Sequence, residues 1–237
     1  MRDQYAGDVS DFLKLSFLRA VAVNDRRLGV AWYYAPGDDG GRDGRHLEYR
    51  KEPGWDQVDA EAYRHLSRLE ERSVAALERL PIWPAHSVFH RTPLVSRNRA
   101  EWVQGMADAM NSADLVFLDP DNGLGNNPNK HADPDDVVAL RRNGRALAFI
   151  TFPQRGRRHE DQIKLIHDSL LKAAFSHPFT VSTVVHVPQE ADPRLRRPLP
   201  RFFTVVNSDD ELLSRAQSFA VRLAQHPHAG ASVTVQE

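Results

Sequence analysis

The chain alternates between two rhythms of apolar and polar residues. Short apolar runs that end in turn residues predict buried strands at residues 28–34, 115–118 and 145–151. Between them, apolar residues recur at helical spacing. Residues 8–24 set Val9, Phe12, Leu13, Phe17, Ala20 and Val21 on one stripe, with Asp8 or Ser10 as the cap. Residues 99–110, 134–142, 157–175 and 209–225 read as further helices, the second with Pro134 in its first turn. The tract 56–80, rich in Glu and Arg, reads as a solvated insert of two helices. A short strand is expected at 87–91. The two β-branched runs at 179–187 and 201–206 are joined by a loop without a helix, so one of them is expected to run antiparallel. Residues 232–235 are expected to form an edge strand.

This order predicts an α/β class with a mostly parallel, doubly wound central sheet and an antiparallel strand near the C-terminus. The insert falls at about residues 52–83, and residues 1–237 are read as a single domain. At 237 residues and 41% hydrophobic, the chain can bury a substantial core. It has no cysteine, which excludes disulfides, thiolate zinc sites and a cysteine nucleophile. No apolar signal core or membrane-spanning run is evident, so a cytoplasmic protein without a membrane partner is expected. The net charge of −1 provides no global field for nucleic acid, so any contact with RNA or DNA needs a local patch.

The candidate chemistry clusters at the expected carboxyl ends of strands, where open α/β sheets bind ligands. The run Leu115-Val-Phe-Leu118 meets Asp119, Pro120, Asp121 and Asn122, the candidate catalytic residues; a plain turn is the alternative. Tyr5, Gly7 and Asp8 precede the first helix, where backbone N–H groups favour polar ligands. Pro36 and Gly37 open a glycine- and aspartate-rich loop at 35–44 after the first strand. It lacks G-x-G-x-x-G spacing. His90 ends the short strand. Phe152, Arg155, Arg157 and Arg158 follow the strand at 145–151 and form the one local basic patch able to meet phosphate. The polar loop at 125–133 is long enough for a lid. No metal site is expected.

Ala6-Gly7-Asp8, Ser10-Asp11 and Leu13-Lys14, followed by Asp119-Pro120 and by Phe152-Pro153 with Arg155, carry a resemblance. The chain resembles the RlmJ-type 23S ribosomal RNA adenine-N6 methyltransferases over most of its length. The resemblance implies a Rossmann-like methyltransferase fold and S-adenosylmethionine as cofactor. It implies cofactor contacts at Tyr5, Gly7 and Lys14, and Asp119-Pro120 facing the adenine amine. The chain departs from that pattern with Asp121-Asn122 in place of Pro-Tyr, and with His90 where an acid would hold the ribose. Two alternatives stand beside it. One is a catalytically inactive methyltransferase-fold binding protein. The other is a Mg²⁺-dependent phosphohydrolase of haloacid dehalogenase type, with Asp119 as nucleophile and Asp121 as acid/base.

Overall fold

The structure is a computed structural model that describes residues 1–23, 26–37, 46–125, 131–186 and 198–236. The glycine-rich loop expectation for 38–44 lies outside the described residues, as does the middle of the lid expectation, 126–130.

In chain order the elements are α1 (Val9–Val21), β1 (Leu28–Trp32), α2 (Trp55–Val58), α3 (Ala60–Leu66) and α4 (Val74–Glu78). They continue with β2 (Val88–His90), α5 (Arg99–Ala109), β3 (Leu115–Asp119), β4 (Gly123–Leu124), β5 (His131–Ala132) and α6 (Pro134–Ala139). The chain closes with β6 (Ala146–Thr151), α7 (His159–Lys172), β7 (Phe179–Val185), β8 (Leu199–Val206), α8 (Asp210–Ala224) and β9 (Ala229–Val235). Seven strands form one sheet in the order β2-β1-β3-β6-β8-β7-β9. β2, β1, β3 and β6 pair in parallel, and the pairings β6–β8, β8–β7 and β7–β9 are antiparallel. Five strands therefore share one direction, while β8 and β9 oppose them. Among the described residues, no helix is long and apolar enough to cross a membrane.

The continuous apolar runs are explained by burial on both faces. Leu28, Val30, Trp32, Leu115, Phe117, Ala148 and Ile150 join one core, packed under α1 and α8. Their alternate neighbours Ala31, Val116, Leu118, Leu147 and Phe149 join the other, with Trp102, Met106, Val137 and Leu170. A strand covered on both sides has no polar face to show.

Several elements differ from the sequence reading. The insert is a 3₁₀ turn at Glu48–Lys51 followed by three short helices. The Asp59 and Ser73 side chains cap α3 and α4 and so divide the tract. The ends of the expected lid are pinned, because β4 and β5 pair with each other as a parallel ribbon. β8 begins at Leu199, and β9 extends along the whole of β7, further than expected.

The insert clamps the segment before α1. Gly7 O accepts from Tyr49 Oη at 3.0 Å and Arg50 Nη2 at 2.9 Å, and Ala6 O accepts from Arg72 Nε at 2.9 Å. Gly7 has φ +76°, and a Cβ there would lie 2.5 Å from Arg50 Nη2. The turn after β3 is equally tight. Gly123 has φ +100°, and a Cβ there would meet Thr151 Oγ1 at 2.4 Å.

Candidate functional site

A cavity of about 620 Å³ opens at the carboxyl ends of the parallel strands, within the usual size range of ligand pockets. Its walls come from five regions: the segment before α1 with the first turns of that helix, His46 ahead of the insert, the turn after β3, the loop after β6 into the start of α7, and the start of β8. The antiparallel direction of β8 explains the last of these. Phe202 pairs with Thr151 at the carboxyl end of β6, so the opening residues of β8 stand at the site edge.

One end of the cavity is acidic. The Lys14 ammonium is buried and bridges two carboxylates, Asp11 Oδ1 at 2.6 Å and Asp119 at 2.9 and 3.1 Å. Burial acts to lower the Lys14 pKa, but Asp11 and Asp119 outweigh it and hold the ammonium above its ordinary range. Burial raises the pKa of Asp119, against the opposing charges of Lys14 and the Met1 amine. Asp11 is raised in the same way by burial, against Lys14 and with Asp8 adding to the rise. Two buried carboxylates thus share one directly bonded ammonium, and burial favours the neutral form of each. Asp121 is neutralised separately, since the Met1 amine donates to its Oδ1 at 2.5 Å and to Tyr33 O at 2.6 Å. Asp8 caps α1, accepting from the Ser10 and Asp11 amides at 2.8 and 3.1 Å.

Other parts of the cavity wall are basic. Arg201 is 6% exposed, and its Nε and Nη2 donate to Ser10 Oγ at 3.0 and 2.6 Å. Its guanidinium lies 5.0 Å from the centre of the Phe152 ring. Burial lowers the Arg201 pKa to about 10, against the charge of Asp8, which raises it. Arg155, Arg157 and His159 stand on the same side.

The structure brings Tyr5, Asp8, Lys14, Asp119, Pro120, Asp121, Asn122, Phe152, Arg155 and Arg157 to this cavity. It does not bring Gly7, Pro36, Gly37, His90 or Arg158 to its wall. Gly7 has its N–H committed to Asp11 Oδ2 at 2.7 Å and its carbonyl taken by the insert. The Pro36 and Gly37 carbonyls accept from Arg2 Nη1 at 3.5 and 3.4 Å. His90 is buried edge-on against Trp102, with ring centres 5.1 Å apart, and burial lowers its pKa. Arg158 pairs with Glu160 on the surface.

Sequence reasoning did not single out Asp11, Ser10 or Arg201 as site residues. Asp11 was findable, because it lies three residues before Lys14 on the helix face that meets the strand ends. Arg201 carried no such signal, since its place depends on the direction of β8.

No family model and no curated protein matches this chain. Two solved structures align with 84% of it. One is a SAM-dependent methyltransferase from Agrobacterium tumefaciens, at 13% identity and TM-score 0.37 over 61% of that chain. The other is the mitomycin 7-O-methyltransferase MmcR, at 14% identity and TM-score 0.29 over 55% of that chain. The present chain thus spans less than two thirds of the length of either structure, and its activity has to be argued from the site itself.

Proposed function

We propose that this protein transfers a methyl group from S-adenosylmethionine to a base nitrogen of RNA or DNA, adenine N6 by resemblance. The observation that carries the reading is a convergence. Three segments far apart in sequence, around Asp8–Lys14, Asp119–Asn122 and Phe152–Arg155, meet in one cavity. They are the same segments that carry the resemblance.

The acidic end suits a cationic ligand group. Asp11 and Asp119 outnumber the one ammonium bonded to them, and a sulfonium beside them favours their charged forms. When bound, the cofactor supplies a methyl group activated by that sulfonium. The chain's own residues supply position. Asp119 accepts a hydrogen bond from the base amine, and Lys14 fixes the carboxylate from behind. Asn122, exposed at the mouth, orients the same amine. Phe152 offers a ring in place of the absent motif tyrosine, for a base taken out of its stack. Orientation of two bound reactants provides most of the rate in such a site.

The direct test is transfer of labelled methyl from S-adenosylmethionine to RNA and to DNA, with Asp119→Ala as control. Label in one nucleic acid, lost in the variant, is the expected result. Cofactor binding without transfer to either polymer would leave the inactive binding protein as the better account.

A further inference from the structure

Two arginines are buried in this molecule without an ion pair among the described residues, and they are satisfied differently. Arg145 is enclosed by carbonyls, donating to Ala113 O, Leu140 O, Met110 O and Asn111 O at 2.8 to 3.0 Å. It is a structural brace, away from the cavity. Arg201 lines the cavity wall. It donates twice to one hydroxyl, Ser10 Oγ, and once to Pro200 O at 3.0 Å. A guanidinium has about five N–H donors in a planar fork, so donors remain for a ligand. Its bonded partners among the described residues are neutral. The carboxylate whose charge reaches it, Asp8, is committed to capping α1. Taking a guanidinium out of water without a bonded counter-charge is costly, and a bound anion removes that cost.

Two exposed cations stand beside it. Arg155 and Arg157 line this end of the cavity, and neither forms an ion pair among the described residues. Their loop is held in shape by α7. Gln162 Oε1 accepts from Gln154 N at 2.7 Å, and Gln162 Nε2 donates to Gln154 O and Arg157 O, both at 3.1 Å. Gly156, at φ +77°, makes the turn that sets the two arginines on either side of it. Arg158, next in sequence, is turned away to Glu160.

We propose that the basic end of the cavity is a phosphate-binding subsite, with Arg201 and Ser10 as its buried floor and Arg155 and Arg157 as its clamp. Three guanidinium groups lining one cavity suit the multiple oxygens and charge of a phosphate better than a single carboxylate. The subsite rests on the methyltransferase reading only for what the phosphate belongs to, a nucleotide or a nucleic-acid backbone.

The test is calorimetric titration of inorganic pyrophosphate, at low salt, into the native chain, Arg201→Gln and the double variant Arg155→Ala/Arg157→Ala. Binding by the native chain that weakens about tenfold or more in each variant is expected. No binding by the native chain, or equal affinity in all three, overturns the proposal. The double variant alters an exposed loop and carries the comparison if Arg201→Gln does not fold. Displacement of pyrophosphate by adenosine 5′-monophosphate identifies a terminal phosphate as the ligand. Displacement by a short RNA with a 5′-hydroxyl end identifies a backbone phosphate. Displacement by neither overturns the assignment to a nucleotide phosphate. A parallel titration with S-adenosylmethionine separates the two claims. Pyrophosphate binding without cofactor binding keeps the subsite and removes the methyltransferase reading, and the converse removes only the subsite.

Discussion

The two ends of the cavity solve opposite electrostatic problems. At the acidic end every buried carboxylate has a partner inside the protein. Lys14 bridges Asp11 and Asp119, the Met1 amine holds Asp121, and Asp8 takes two backbone amides. At the basic end the cations Arg155, Arg157 and Arg201 have no carboxylate paired with them among the described residues, and only Arg201 is buried. The first end holds two carboxylates on one bonded ammonium and so places Asp119 rigidly. The second is completed only when something anionic arrives. A ligand with a cationic or amine group and a phosphate would satisfy both ends at once.

Substitutions test this contrast, and the largest effect is expected at Lys14. Lys14→Met leaves Asp11 and Asp119 buried around a missing ammonium. It should lower stability by about 3–5 kcal/mol, read by chemical denaturation. A loss below about 1 kcal/mol would mean that the cluster is solvated and not a fixed scaffold.

Asp119→Asn is expected to separate stability from function. The amide keeps the shape and a hydrogen-bonding oxygen, and Lys14 keeps Asp11 as its counter-ion. The variant should stay within about 1 kcal/mol of the native stability, because the like charge it removes was itself unfavourable. Methyl transfer should nevertheless be lost. A collapse in stability comparable to that of Lys14→Met would contradict the two-for-one charge count.

Smaller effects come from histidines outside the cavity. Burial lowers the pKa values of His90, His167 and His226, so each takes up a proton less readily in the fold than when unfolded. Stability from these groups is present in full above the ordinary histidine pKa of about 6.5 and falls as pH drops through that value. His90→Phe should flatten the acid slope without altering cofactor affinity, since His90 lies off the cavity wall. Thermal melts between about pH 7 and pH 5 check the sign. The smallest effect is expected for Arg158→Ala. Its exposed pairing with Glu160 removes it from the subsite, so pyrophosphate affinity should not change.

Much of this was legible in the sequence, for identifiable reasons. Leu115–Asp119 announced a doubly buried strand because its apolar run is unbroken, and Asp119 fell at its carboxyl end as expected. The antiparallel strand followed from the absence of a helix between the last two long β runs. Phe152 and Arg155 were placed by the same strand-end rule. What the rule misplaced were residues with the right position along a strand but the wrong direction in space. His90 ends β2 as expected, yet its ring turns into the core against Trp102. Gly7 belongs to the right segment, but its positive φ serves the clamp under Arg50 and its carbonyl is already used. Arg201 could not be seen, because no local pattern says that the first residues of an antiparallel strand will meet the last residues of a parallel one.

The central claim is that Asp11 and Asp119, which outnumber the ammonium bonded to them, favour a bound sulfonium. Calorimetric titration of the native chain and Asp119→Asn with S-adenosylmethionine and S-adenosylhomocysteine tests it most directly, because the second ligand keeps the shape and lacks the sulfonium charge. The native chain should bind both. In Asp119→Asn, S-adenosylmethionine should weaken by about tenfold while S-adenosylhomocysteine changes little. Failure of the native chain to bind either ligand, or equal weakening of both in the variant, would contradict the account.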